Sequence, residues 1–467
     1  MTRRSLDVPG FLVISFCLGL FPPGYAHAQS LEDALTAAYL NNPTLLGQRA
    51  RLRATDERVP QALSNWRPSV EITGNAGLSG ITTKGGGSSG GSTSLGGQHV
   101  EPRSVGVTLT QPLFRGGRTL AATSGAENTV RAERARLVKT EQDVLLSAAT
   151  AFLDVFRDEA VVKLNINNEQ VLKRQLEATR DRFDVGEITR TDVHQAEARL
   201  AKAIADRIQA EGDLEASRAA YQKIVGMPSA RNLKAPELPG GLPENQDAAL
   251  KAAAVNNPDV VSAEFDKLAQ LDAVAQARGE LLPEINVTTG VSRNLEASIE
   301  DRRVDTAEVK LNLTVPLYQQ GADYSRLREA KQTAAEKLFA IDKARRDSVE
   351  AATRAWESLS TASARVKAFK SQIDANVVAL EGVEHEAQVG SRTVLDVLDA
   401  EQELLDSRVN HVRAQRDEVV AIFQLKAAVG QLTAREMKLP AELYDPIKHY
   451  DEVRDKWFGT TGKGGIE

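Results

Sequence analysis

The stretch "VGEITRTDVHQAEARL" (Val185–Leu200) returns 204 residues later as "VGSRTVLDVLDAEQEL" (Val389–Leu404). Working outward, Pro112/Pro316 and Gly226/Gly430 keep that offset. The earlier pair "SLEDALTAAYLNNPTLLG" (Ser30–Gly47) and "NQDAALKAAAVNNPDVVS" (Asn245–Ser262) lies 215 apart, as do Pro68 and Pro283. One gap of 11 residues between Pro68 and Pro112 reconciles the two offsets, and there the first copy carries a Gly/Ser run, Gly85–Gly97. The chain is a duplicated structural unit, and its period is far too long for a solenoid repeat. The copies are expected to pack about a pseudo-twofold axis. The first spans 29–244 and the second 245–434, joined by the linker Ala235–Asn245 with its prolines and glycines. The segment 435–467 has no counterpart, and Gly459–Glu467 reads as a disordered tail.

Proline use sets the secondary structure. None occurs between Pro112 and Pro228, nor between Pro316 and Pro440. Proline breaks helix interiors, and both stretches are rich in Ala, Glu, Leu, Arg and Gln. Each is expected to be a long helical hairpin, 117–226 and 321–430, turning at Gly186 and Gly390. A first arm of 69 residues (Gly117–Val185, Gly321–Val389) would run about 100 Å. Leu395, Leu398, Gln402, Leu405, Val409, Val412, Arg416, Val419 and Phe423 step by 3 and 4, a heptad seam with two polar interruptions. The matching seam of the first copy is Thr191, His194, Ala198, Ala201, Ala205 and Ile208, small enough for close approach.

Four segments alternate with period 2 instead. They are expected as strands over about 68–81, 103–113, 283–296 and 305–316. Val70, Ile72, Val105, Val107, Leu109, Ile285, Val287, Val309, Leu311 and Leu313 fall on apolar phases, with polar residues between them. That is the pattern of a transmembrane β-barrel, and a half-buried soluble sheet shares it. Trp66, Phe114 and Tyr318 stand at strand ends, where interfacial aromatics belong. Four strands cannot close, and an open edge is not tolerated in lipid. Two chains would supply eight strands and three would supply twelve; the pattern alone does not choose.

The start of the chain reads as a secretory signal, 1–28: Arg3 and Arg4, the apolar run Phe11–Phe21, then Ala26-His27-Ala28. The apolar run is too short to span the roughly 30 Å of hydrocarbon in a bilayer. Cys17, the sole cysteine, lies inside that signal, so the mature chain would hold no thiol, disulfide or thiolate metal site. The net charge of −6 becomes −7 once Arg3, Arg4 and Asp7 are removed. Mild acidity argues against nucleic acid as a partner. No later run reaches 18 apolar residues. The six histidines form no H-E-x-x-H pattern, and "GTTGKGG" (Gly459–Gly465) lacks P-loop spacing, so neither catalytic nor metal residues are assigned and no cofactor is implied.

Taken together, "VGSRTVLDVLDAEQELL" (Val389–Leu405), the duplicated "NNP" segments, and "TQPLFRGG" (Thr110–Gly117) with "TVPLYQQG" (Thr314–Gly321) resemble the TolC family of outer-membrane efflux and secretion channels. The resemblance covers nearly the whole mature chain. It implies a mainly α fold with β, an internal duplication, and a homotrimer. Four strands per chain would form a 12-stranded outer-membrane β-barrel, continued by a long α-helical coiled-coil tunnel through the periplasm. It also implies a periplasmic adaptor (membrane fusion) protein and an inner-membrane pump of RND or ABC type. The expected function is passive exit for substrates of a tripartite efflux pump or a type I secretion system. The rival reading is a secreted coiled-coil structural or adaptor protein.

The resemblance also assigns site residues. Asp396 and Asp399, three apart on one helix face, match the family's constriction carboxylates. Six such carboxylates around an axis attract cations. As first-turn acids after Ser391 or Thr393 they also suit the helix dipole. Arg392 matches the gate arginine and Asp192 its partner in the first copy. The tyrosine that the family's example gate carries three residues before the glycine is replaced by Ala387, leaving His385 or Gln388 to rebuild that latch.

Overall fold

The computed structural model describes residues 29–81, 98–230, 233–236, 239–297 and 301–460. The signal segment, the run Gly85–Gly97 and the tail from 461 onward lie outside the described residues. Each repeat opens with two short helices: α1 (Leu31–Asn41) and α2 (Pro43–Asp56) in the first, α6 (Gln246–Asn256) and α7 (Pro258–Gly279) in the second. In the first repeat the second helix breaks at Glu57 and resumes as α3 (Arg58–Leu63). Pro60 explains the break: its ring meets the carbonyl of Asp56 and it offers no N–H. Ala275 holds the equivalent place, and α7 runs through it unbroken.

The duplicated "NNP" segments do identical work. Asn42 caps α2 by accepting the Thr44 N–H at 2.9 Å, and its amide donates to the Ile224 carbonyl at 2.9 Å. Asn257 caps α7 through the Asp259 N–H at 2.9 Å and donates to the Ala428 carbonyl at 3.0 Å. Each asparagine is buried and is followed by proline at the first helical position, where its missing N–H costs nothing. The motif therefore ties the start of each repeat to the far end of its own hairpin.

Those hairpins are α4 (Arg118–Asp184) with α5 (Arg190–Val225), and α8 (Ala322–Gln388) with α9 (Val394–Ala428). Both first arms are 67 residues, about 100 Å long. Among the described residues no helix is long and apolar enough to cross a membrane. The main core sits at a collar where α1 and α2 meet the middle of α4 and the final turns of α5 and α9, around Phe152, Tyr221 and Phe423. The segment after α9 belongs to this collar. Tyr444 N–H donates to the Tyr39 hydroxyl at 3.0 Å, and α10 (Lys448–Val453) sets His449 3.2 Å from the buried Asp56.

The expected single seam on α9 is two seams. Val397 and Leu404 pack with Leu380 and Ala387 of α8, whereas Val394 and Leu398 pack with Leu172, Leu176, Val193 and Ala196 of the first hairpin. A helix in a wall has a neighbour on each side. On α5 the buried positions are Val193, Ala196, Ala203, Ala210, Leu214, Tyr221 and Val225. The expected seam through Thr191, His194, Ala198, Ala201, Ala205 and Ile208 is exposed in the single chain. Alanine on several faces left its phase undetermined.

The strands form one antiparallel sheet in the order β1 (Ser69–Ala76), β4 (Arg103–Arg115), β5 (Glu284–Leu295), β6 (Arg303–Thr314). The first hairpin adds a short extension, β2 (Ser79–Ile81) against β3 (Gln98–Val100), which the alternation did not separate from its neighbours. The register aligns one apolar side across the helix-proximal part of all four strands, and toward the far end the same side carries Arg103, Arg293, Arg303 and Asp305. Val70 faces Leu109, Ile72 faces Val107, Val107 faces Val291, Val287 faces Leu311 and Ile285 faces Leu313. The other side is polar: Asn312 donates to Asn286 at 2.9 Å and Thr288 at 3.0 Å, and Lys310 pairs with Glu308 at 2.6 Å. Strand Pro112 is accommodated at a bulge between Pro112 and Phe114, where no ladder donor is needed. Arg118 and Arg115 clamp Glu284 at 2.6 and 3.4 Å, fixing the sheet above the helices.

Candidate gate and pore surface

The free ends of the two hairpins are built alike. Gly186 (φ +81°) and Gly390 (φ +79°) adopt the left-handed conformation that ends α4 and α8. The next N–H reaches back to close the final turn: Glu187 to the Arg182 carbonyl and Ser391 to the Glu386 carbonyl, both 2.9 Å. This is the Schellman arrangement, in which glycine avoids the Cβ penalty of left-handed backbone. Three residues later the second arm starts. The Asp192 carboxylate accepts from the Thr189 N–H (2.9 Å) and hydroxyl (2.7 Å). The Asp396 carboxylate does the same for Thr393 at 2.9 and 2.8 Å, and Thr393 accepts in return from the Asp396 N–H at 3.3 Å. The Thr393 N–H holds the Asp396 carboxyl below the usual carboxylate range. The first-turn acids are thus helix caps at equivalent positions of the two copies.

Ion pairs surround these caps. Arg392 pairs with Glu386 across its own turn at 2.9 Å, and Arg182 pairs with Glu187 at 3.1 Å in the first copy. Glu197 takes Arg180 at 2.8 Å and His194 at 3.1 Å, which lower its pKa in that order. Asp399 of α9 is bound by Arg199 of α5, joining the two hairpins.

The structure brings the tips of both hairpins together through Val193, Ala196, Val394 and Leu398. Within the chain it does not join Asp192 to Arg392: one is engaged by Thr189, the other by Glu386. Ala387 lies buried against Val397 and Leu404, so a small residue there serves packing, and His385 and Gln388 are exposed. Two participants escaped the sequence reading. Glu386 lies six residues before Arg392 across a turn, a spacing open to inspection. Arg199 and Asp399 are 200 residues apart, and no local pattern links them.

At the opposite end of the molecule the apolar side of the sheet is bare: Ile72, Val309, Leu311 and Leu313 are each more than 60% exposed. Among the described residues β1 and β6 each pair along one edge only. A lipid-facing sheet with two open edges, carried on helices about 100 Å long whose far tips meet in capped, charged turns, defines a subunit of a membrane-spanning channel. The comparisons agree, and the chain belongs to the outer membrane efflux protein family, whose model matches residues 34–227 and 249–431. It is similar to the outer membrane efflux protein BepC of Brucella suis, 34% identical over 436 residues that cover 93% of this chain and 92% of BepC. The outer membrane protein TolC of Vibrio cholerae is 24% identical, covering 91% and 96%. The alkaline protease secretion protein AprF of Pseudomonas aeruginosa is 22% identical, covering 72% and 71%. Among solved structures, the Vibrio cholerae outer membrane protein VceC superposes with a TM-score of 0.74 at 18% identity, covering 86% of this chain and 96% of VceC. That likeness is one of fold.

Proposed function

We propose that three copies of this chain assemble as a homotrimer whose sheets close one 12-stranded barrel in the outer-membrane lipid. The helical hairpins then form a tunnel across the periplasm. Substrates expelled by an inner-membrane pump of RND or ABC type, coupled through a periplasmic adaptor, leave passively through it. One observation carries the reading: a four-stranded sheet, apolar over the helix-proximal stretch of one side and, among the described residues, unpartnered at both edges, can be satisfied in lipid only by other copies of itself. The exposed small-residue face of α5 is a natural seat for a neighbouring hairpin. BepC is named for efflux and AprF for protease secretion; the greater identity to BepC favours efflux.

The tips are the gate. In the closed trimer Arg392 exchanges Glu386 for Asp192 of a neighbouring copy, and Asp396 and Asp399 ring the narrowest point. An adaptor opens the channel by untwisting the turns at Gly186 and Gly390. The test is single-channel conductance in a planar bilayer, wild type beside Arg392→Ala. A small cation-selective current that grows in the variant supports pore and gate together. A pore of unchanged conductance would refute the gate, and no pore from folded protein would refute the channel.

A further inference from the structure

At the collar, far from the tips, a cavity of about 490 Å³ opens between α2, α4, α7 and the segment that follows α9. Four arginines line it (Arg49, Arg131, Arg134 and Arg435) against one carboxylate, Glu141. The nine-tenths-buried Arg49 guanidinium sits between the rings of Tyr39 and Tyr444, 4.5 and 5.1 Å from their centroids, and donates to the Tyr39 carbonyl at 3.2 Å. Arg134 stacks on Tyr450 at 5.1 Å. Its Nε and one terminal nitrogen are shut off from solvent with no acceptor among the described residues.

The neighbouring acids offer these guanidinium nitrogens no hydrogen bond, although Asp56 keeps one buried oxygen, Oδ1, without a partner among the described residues. Glu141 accepts the Ala434 N–H at 2.7 Å, and burial pushes its carboxyl pKa up. Asp56 faces His449, and Glu127 takes Tyr450 and Arg454, each at 3.4 Å. Guanidinium donors left without acceptors in a low-dielectric site are costly, and an oxyanion supplies what they lack. Arginine forks match phosphate and carboxylate oxygens in pairs, while the tyrosine faces accept an apolar body.

We propose that this cavity binds an organic anion: one phosphate- or carboxylate-type oxyanion on an apolar body. The volume falls in the range of small-molecule sites. α4 follows β4 and α7 precedes β5, the two inner strands of the sheet. Two of the cavity's walls thus continue into the inner strands, while α2 leads toward the edge strand β1. The site is independent of the gate.

The experiment is calorimetric titration of the full-length protein in detergent with phenyl phosphate, inorganic phosphate and dihexanoyl phosphatidylglycerol. The expected result is saturable phenyl phosphate binding, one per chain, at least tenfold tighter than inorganic phosphate. Arg134→Gln and the exposed Arg435→Ala should each weaken it tenfold or more, the second without a change in melting temperature. Tighter binding of the lipid than of phenyl phosphate supports a headgroup as the natural source; the reverse supports a soluble anion. No saturable binding of any probe, or wild-type affinity in both variants, overturns the site. Equal binding of inorganic phosphate overturns the apolar body.

Discussion

An arginine introduced along β6 should cost stability in proportion to its depth. The strand has 12 residues, Arg303–Thr314. At about 3.4 Å per residue and a tilt near 45° it rises roughly 29 Å, enough for the apolar band of an outer membrane. Val309 stands on the apolar side, paired with Thr289 and 74% exposed, five residues from the helix-side end at Thr314. That places it about 12 Å from the helix-side end and about 10 Å from Asp305, the first charged residue on its own side. A charge at the midplane costs about 2–4 kcal/mol, falling to about 0–1 near the interface. Val309→Arg should therefore shift the folding equilibrium roughly 30- to 1,000-fold. Leu313→Arg, one residue from the end, should shift it less than about tenfold. The control is Thr306→Arg, opposite Ser292 on the polar side, where Glu308 and Lys310 already carry charge. It should change little. The assay is guanidinium unfolding from lipid vesicles, followed by tryptophan fluorescence. If Thr306→Arg proves as costly as Val309→Arg, or depth has no effect, the assignment of the two sides is wrong.

Asn257→Ala removes a cap and strands the buried Ala428 carbonyl, a loss of about 2 kcal/mol. Hydrogen exchange at the start of α7 should quicken roughly 30-fold, with Asn42→Ala doing the same at α2, and acceleration below twofold would refute the tie. Arg199→Ala frees the Asp399 carboxylate at the tips; the cation-to-anion permeability ratio from reversal potentials should rise, and an unchanged ratio would remove Asp399 from the pore. Glu141 has a raised folded pKa, so its contribution to stability is present below the ordinary value near 4.3 and is lost as pH rises through the folded one. Glu141→Gln keeps an acceptor for the Ala434 N–H, and its melting temperature should exceed wild type at pH 8 by a margin that vanishes at pH 4.

Much of this was legible because it is local. Proline-free runs, glycines at the turns and period-2 alternation each report on a few neighbouring residues, and duplication doubled every signal. The reading of Asp396 as a first-turn acid needed only Thr393 three residues earlier. What stayed hidden depends on contacts across the chain. The partition of Val397 and Leu398 between two neighbours requires knowing that α9 has two. The phase of α5 was lost because alanine suits a buried and an exposed face alike. The pairing of Arg199 with Asp399, and the docking of the C-terminal segment through Tyr444 and His449, join residues hundreds of positions apart. The expected Asp192–Arg392 pair is not formed within the chain, where Thr189 and Glu386 engage the two side chains instead.

The asparagine ties give the hairpins a mechanical asymmetry. Ile224 and Ala428, at the collar ends of α5 and α9, are held by Asn42 and Asn257. The opposite ends, Arg190 and Val394, each lie 34 residues away, an arm of about 51 Å. Rotation of about 5° at the held end sweeps the free end through about 4.5 Å, most of the rise of one helical turn. The collar thus acts as a fulcrum. Slight rearrangement of its packing reaches the tips enlarged, and a partner gripping the tips works against the collar with the same leverage.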